Sequence, residues 1–265
     1  MKRHFLALIL LLPVTASCQT RLPETISTQT RKLLWSDEFN YISLPDPQKW
    51  SYEEGFIRNR EPQYYTKERS ENAKVDGGNL IITARKEDFG GGKYTSASVI
   101  TRGKYVFTYG RVEVRAKLPA GKNVWPAIWT LGTNIRTVGW PVCGEIDIME
   151  FWGTSPNSVS ANVHTGDYNH TKGNGRGGKI MVDKPWEDFH IYAVEWYPDR
   201  LDFYFDDKMY YSCPKKGEGI GEWPFDAPQY LLINLALTPG KEGIDDSMFP
   251  TEYRIDYVRI YGTKK

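Results

Sequence analysis

The sequence predicts an all-β chain built as two packed antiparallel sheets, a sandwich or jelly roll. Three observations carry that expectation. Short stretches of alternating polar and apolar residues recur along the chain, Gly- and Pro-containing turns separate them, and no segment sustains a helical period. The length of 265 residues has room for two domains, but a β-sandwich commonly fills roughly 200 to 250 residues as one. No internal repeat or second domain is visible, so one domain is expected.

In chain order, the first element is processing sequence. Lys2 and Arg3 precede an apolar stretch from Phe5 to Val14 that is too short to span a bilayer and reads as an export signal. Thr15-Ala16-Ser17-Cys18 places small residues before a cysteine, as in a bacterial lipoprotein processing box, and makes Cys18 the lipidated residue of a signal covering 1–18. Thr15 departs from the usual Leu, which leaves ordinary cleavage after Ala16 open, with Val14 and Ala16 as the recognition pair. On either reading the protein is exported, as a cell-surface or periplasmic lipoprotein or a secreted protein. It meets a membrane only through that anchor. Residues 19–32 are polar, Thr-rich and aperiodic, a tether that leaves 33–262 as the folded domain. Cys143 and Cys213 then sit in an oxidising compartment, and the sequence leaves both the paired and the free state open.

Residues 79–84 form a short apolar strand, and 111–118 alternate charged with apolar side chains over eight positions, giving one wet face. Residues 189–196 and 201–205 flank Tyr197-Pro198-Asp199-Arg200, and Asp206-Asp207 leads on to 208–211, so two hairpins in succession make an antiparallel meander. A long apolar strand covers 229–237. The last strand, 254–261, is expected to alternate Ile255, Tyr257 and Arg259 against Asp256, Val258 and Ile260.

Composition narrows the partners. Lys and Arg number 34 against 33 Asp and Glu, for a net charge of +1 with no block of like charge, so a grip on nucleic acid is not indicated and a neutral partner fits better. Aromatics make up 14% of the chain, with nine Trp and seventeen Tyr, more than a core of this size usually needs. Flat apolar faces with a polar edge suit sugar rings.

The chemistry concentrates in Gly144-Glu145-Ile146-Asp147-Ile148-Met149-Glu150. Three carboxylates in an apolar strand are costly if buried unpaired. On a regular strand Glu145 and Asp147 share a face and Glu150, five residues on, points the other way. A β-bulge near Ile148 and Met149 returns Glu150 to their face. Glutamate carboxyls brought to about 5 to 5.5 Å mark a retaining glycosidase, one attacking the anomeric carbon and the other serving as acid and then base. Asp147 between them is placed to hydrogen bond Glu145 and to keep Glu150 protonated. Trp125, Trp129 and Trp140 lie close by in the sequence as stacking platforms.

These residues resemble glycoside hydrolase family 16, in its laminarinase-like and lichenase-like endo-β-glucanases. The resemblance runs from Trp35-Ser36-Asp37-Glu38-Phe39 through Asn59-Arg60-Glu61-Pro62-Gln63-Tyr64-Tyr65, Gly110-Arg111-Val112-Glu113, Trp125-Pro126-Ala127-Ile128-Trp129 and the acidic strand to Ile255-Asp256-Tyr257-Val258-Arg259. It implies a jelly roll with a concave substrate groove. It also implies Glu145 as nucleophile, Asp147 as its assistant, Glu150 as acid/base, and no cofactor for catalysis. Trp125, Trp129 and Trp140 match glycone-lining aromatics, and Asn59, Arg102 and His164 match polar groove positions. From the residues alone, Asn59 reads equally as a turn cap, Arg102 as the partner of an acid and His164 as a core histidine. Glu38, Gly78 and Asp256 match a structural calcium site of oxygen ligands.

The expected partner is a β-glucan with β-1,3 or mixed β-1,3/1,4 linkages, hydrolysed internally by a monomer. Xyloglucan-active relatives usually have the acidic motif without the extra residue, and no basic cluster beside 125–150 suits the sulfate of agar-type galactans. A non-catalytic β-glucan-binding protein on the same scaffold is the alternative from another class. Such proteins commonly lose a glutamate, and here both stand.

Overall fold

The computed structural model describes residues 31–263. The export signal, Cys18 and nearly all of the tether lie outside them. In chain order the strands are β1 Leu33–Asp37, β2 Ser51–Tyr52, β3 Gln63–Tyr65, β4 Ala73–Asp76, β5 Asn79–Phe89, β6 Gly92–Ser96, β7 Ser98–Ile100, β8 Gly110–Lys117 and β9 Val124–Gly132. One helical turn, α1 Ile135–Val138, comes next. It is followed by β10 Glu145–Phe151, β11 Ser158–His164, β12 Arg176–Met181, β13 His190–Trp196, β14 Arg200–Phe205, β15 Lys208–Pro214, β16 Gln229–Leu237 and β17 Thr251–Tyr261.

Two sheets result. One has the order β15-β14-β13-β8-β17-β5-β6-β3, with β1 added on β17 and β4 on β5; the other runs β12-β11-β10-β9-β16-β7-β2. The ladders are antiparallel except for the parallel pairing of β3 with β6. The predicted meander is β13, β14 and β15. In β8 the apolar positions are buried and the charged ones half-buried in strict alternation, so this strand turns one face inward and the other toward water.

The main core lies between the sheets and includes Leu80, Val114, Ile146, Phe203, Ile233 and Ile255. Every residue of β16 is buried. Its other face is covered too, by a second cluster in which Tyr230 and Leu232 pack with Ile100, Trp129, Leu131 and Cys143. A strand covered on both sides reads as the continuous apolar run seen in the sequence. Cys143 and Cys213 are buried in the two different clusters and are both free thiols.

β17 departs from the expected alternation. Its register against β8 shifts between Ile255 and Tyr257, a bulge that turns Val258 and Ile260 into the core beside Ile255 and leaves Arg259 half-buried on the opposite side. One extra residue at Asp256 lets three apolar side chains share the inner face, which strict alternation forbids.

Candidate active site

The acidic strand is β10, third in the seven-stranded sheet. Its pairing with β9 slips between Asp147 and Met149, and its pairing with β11 slips between Asp147 and Glu150. The bulge therefore sits at Ile148 and Met149. Both of those side chains enter the core with Ile146 and Phe151, while Glu145, Asp147 and Glu150 line one cleft of about 450 Å³. The cross-strand partners fix the floor: Leu131, Trp129 and Ala127 lie opposite these carboxylates on β9, and His164, Asn162 and Ser160 on β11.

Each carboxylate has a distinct hydrogen-bond environment. The Trp140 indole donates to Glu145 Oε2 at 2.8 Å. Glu150 accepts from Trp125 Nε1 at 3.1 Å and from Asn162 Nδ2 at 2.5 Å. His164 Nε2 stands 3.2 Å from Asp147 Oδ2 and 3.8 Å from Glu145 Oε1. Burial pushes the Glu145 carboxyl well above the usual range and the charge of Asp147 adds to it, while His164 and the Trp140 indole oppose the rise. Asp147 is pushed up by burial and then by the charge of Glu150, against its hydrogen bond with Glu145. Glu150 is raised by burial, and the Asn162 and Trp125 donors hold that rise back. Buried carboxylates that repel one another disfavour full ionisation, so the cluster holds protons to higher pH than a lone surface acid.

The three expected tryptophans all line this cleft. Trp125 and Trp140 are tied to the acids, and buried Trp129 donates to Asn234 Oδ1 at 2.7 Å. Asn59 lines the cleft as well, from a left-handed turn at Asn59 and Arg60 with φ of 55° and 53°, and donates to Glu61 at 3.1 Å. It is both turn residue and cleft residue.

The chain's match to known proteins agrees with this geometry. The family model described as "Glycosyl hydrolases family 16" matches residues 60–259. The chain belongs to glycosyl hydrolase family 16. Its family 16 relatives include the beta-glucanase of Rhodothermus marinus, 48% identical over 243 residues that span 87% of this chain and 85% of that protein. The X-ray structure of the laminarinase from Rhodothermus marinus superposes with a TM-score of 0.85 at 46% identity, covering 88% of this chain and 97% of that one. SCLam, a non-specific endo-β-1,3(4)-glucanase of the same family, gives 0.83 at 40% identity, covering 88% and 91%.

Other expected family 16 positions fall elsewhere. Arg102 is not among the cleft-lining residues; its guanidinium lies 5.6 Å over the ring of Tyr230, which packs in the cluster beneath Trp129. His164 is 8% exposed and faces the acids rather than the cleft space. Glu38 and Asp256 do not fit the expected calcium site, because each is already matched to a guanidinium. Arg259 grips Glu38 with two hydrogen bonds of 3.0 and 2.8 Å, and Arg115 meets Asp256 at 2.6 Å. A cation there would have to displace both arginines, so Glu38, Gly78 and Asp256 as arranged do not fit a calcium ion.

Four features escaped the sequence reading: Arg58, in the cleft wall, stacked 4.8 Å over Trp129 and paired with Glu53; Asn234, also in the cleft wall; and, behind the wall, Asn162 on Glu150 and Trp152, stacked 4.0 Å from Trp125. Asn162 left a legible signal. In Ser158-Val159-Ser160-Ala161-Asn162-Val163-His164 polar and apolar residues alternate, which places Ser160, Asn162 and His164 on one face. Gly177 pairs opposite Asn162, and a Cβ there would come within 2.0 Å of Asn162 Oδ1. The glycine thus leaves the amide room beside Glu150.

Proposed function

We propose that this family 16 chain is a retaining endo-β-glucanase acting on β-1,3 and mixed β-1,3/1,4 glucans, with Glu145 as nucleophile and Glu150 as acid/base. The observation that carries the reading is the bulge at Ile148 and Met149, which puts both glutamates and Asp147 into one tryptophan-lined cleft. Glu145 attacks the anomeric carbon while Glu150 passes its proton to the leaving glycosidic oxygen, giving a glycosyl-enzyme. Glu150 then takes a proton from a water whose oxygen displaces Glu145. Burial keeps Glu150 protonated at higher pH than a surface glutamate, as a general acid requires. Asp147, itself pushed up by burial, can hold a proton next to Glu145 and so remove the charge that disfavours an ionised nucleophile, while His164 and the Trp140 indole support the Glu145 carboxylate.

The substrate class follows from the neutral balance of the chain, the aromatic walls and the activities named for its relatives. The extra bulge residue favours this class over xyloglucan. The non-catalytic alternative leaves unexplained why both glutamates are present and each has its own indole donor. Purified protein should release oligosaccharides from laminarin and from mixed-linkage glucan but not from xyloglucan or agarose, with retention seen by early-time NMR. Release from neither glucan would overturn the reading. Glu145→Gln and Glu150→Gln should each lower turnover by orders of magnitude with the fold intact. Export with anchoring at Cys18 or cleavage after Ala16 is part of the same reading; Cys18→Ala should move an anchored protein from the membrane fraction to the soluble one.

A further inference from the structure

Against the acids of β10, behind the cleft wall, lies an imidazole that takes part in neither proton transfer of the hydrolysis. His164 is buried, and its Nδ1 has no hydrogen-bond partner. Its Nε2 points into the gap between Glu145 and Asp147, at 3.8 and 3.2 Å. Ligand atoms of these three residues all lie within 4.8 Å of one another, and among the described residues they are the one such His, Cys, Asp and Glu set. Around a tetrahedral zinc ion, bonds of about 2.0 to 2.2 Å put the ligand atoms about 3.3 to 3.6 Å apart. The two separations from His164, 3.2 and 3.8 Å, bracket that edge, and the carboxylate pair lies within 4.8 Å.

We infer that Glu145, Asp147 and His164 form an inhibitory site for a borderline divalent cation such as Zn²⁺, which on binding takes the nucleophile out of action. One imidazole nitrogen with two carboxylate oxygens is a zinc-type ligand set, whereas Mg²⁺ and Ca²⁺ prefer oxygen alone. Without a metal the carboxylates beside Nε2 favour the ring proton there; a metal takes the place of that proton, and the ring nitrogen Nδ1, which no other group engages, carries the proton of the neutral imidazole instead. The rings of Trp140 and His170, 6.1 and 5.0 Å from His164, hold the imidazole in place. The remaining coordination position faces the cleft, where Glu145, Asp147 and His170 all border the open space. A metal and the anomeric carbon of the substrate then compete for the same Glu145 oxygen. The inference rests on Glu145 being the nucleophile, but the metal site itself does not require turnover.

The test is calorimetric titration of the full chain with ZnCl₂ alone, beside steady-state hydrolysis of laminarin with ZnCl₂, MgCl₂ or CaCl₂. One Zn²⁺ should bind per chain, inhibition should be competitive with glucan and reversed by EDTA, and Mg²⁺ or Ca²⁺ at the same concentration should leave the rate unchanged. Loss of an outer-shell partner alone weakens a metal about 10- to 100-fold, so His164→Asn should weaken Zn²⁺ by at least that much. No Zn²⁺ binding to a protein that hydrolyses laminarin, non-competitive inhibition, or an unchanged affinity in His164→Asn overturns the site. Zn²⁺ binding at His164 in a protein that hydrolyses no glucan keeps the metal site and overturns the hydrolase reading.

Discussion

Asn162→Ala isolates the acid half of the chemistry. The amide gives Glu150 a 2.5 Å hydrogen bond inside the protein, and removing it leaves the Trp125 indole at 3.1 Å as the remaining donor. A hydrogen bond to a charged group contributes about 1.5 to 3 kcal/mol. At 1.36 kcal/mol per tenfold in rate, its loss should lower kcat/KM on laminarin roughly 10- to 150-fold. The loss should depend on the leaving group. A dinitrophenyl laminaribioside departs without needing a proton, so its kcat/KM should fall far less than that of the polysaccharide. The pH profile has a defined sign as well. Burial raises Glu150 and Asn162 opposes that rise, so without the amide the carboxyl holds its proton to higher pH and the alkaline limb of kcat/KM should move upward. That limb belongs to the coupled acids rather than to one of them. Equal losses on both substrates, or an alkaline limb that moves downward, would refute the assignment of Asn162 to the acid.

Other expectations follow from burial and pairing. Glu145 has a folded-state pKa raised above its unfolded value, so its contribution favours the fold at low pH and is lost as pH climbs from the ordinary glutamate range through the raised value. Glu145→Gln should therefore gain in Tm over the parent as pH rises from 4 to 8, with no gap at the acid end; a constant gap by scanning calorimetry would contradict this. Met149 is fully buried at the bulge, and Met149→Ala should cost about 2 to 5 kcal/mol. It should keep its specific activity below its lowered Tm, because the residue count of the bulge is unchanged. EDTA should leave the Tm of the parent unchanged, since Arg259 and Arg115 occupy the carboxylates of Glu38 and Asp256. Arg259→Met, which removes a partly exposed pair, should cost about 1 kcal/mol or less. A calcium-dependent rise in Tm would restore the cation site.

The two bulges show how far a sequence can be read. In β10 the spacing of the acids betrayed the slip, because a burial-averse group at an odd offset has to be returned to the open face. In β17 both alternating sets of residues 254–261 contain apolar side chains, so either register looked acceptable and only pairing with β8 decided between them. Arg58 and Asn234 were invisible for a different reason. Each reaches Trp129 from a distant segment, 71 and 105 residues away along the chain, and local periodicity carries no information about such meetings. Asn162 was legible from alternation but had no reason to stand out until its hydrogen bond to Glu150 was known. Glu38 and Asp256 were placed by pattern alone, and the arginines that claim them come from positions 259 and 115.

The indole ties of Trp125 and Trp140 have an optical consequence. Each ring offers its N–H to one acid, and a neighbouring carboxyl alters indole emission according to whether it holds its proton. The emission of these two rings should therefore follow the titration of the coupled acids from the two ends of the acidic strand, Trp125 from the Glu150 side and Trp140 from the Glu145 side. Replacing Trp125 or Trp140 by Phe silences one channel at a time, so the protonation order of the cluster becomes readable in the resting protein, before any sugar is bound.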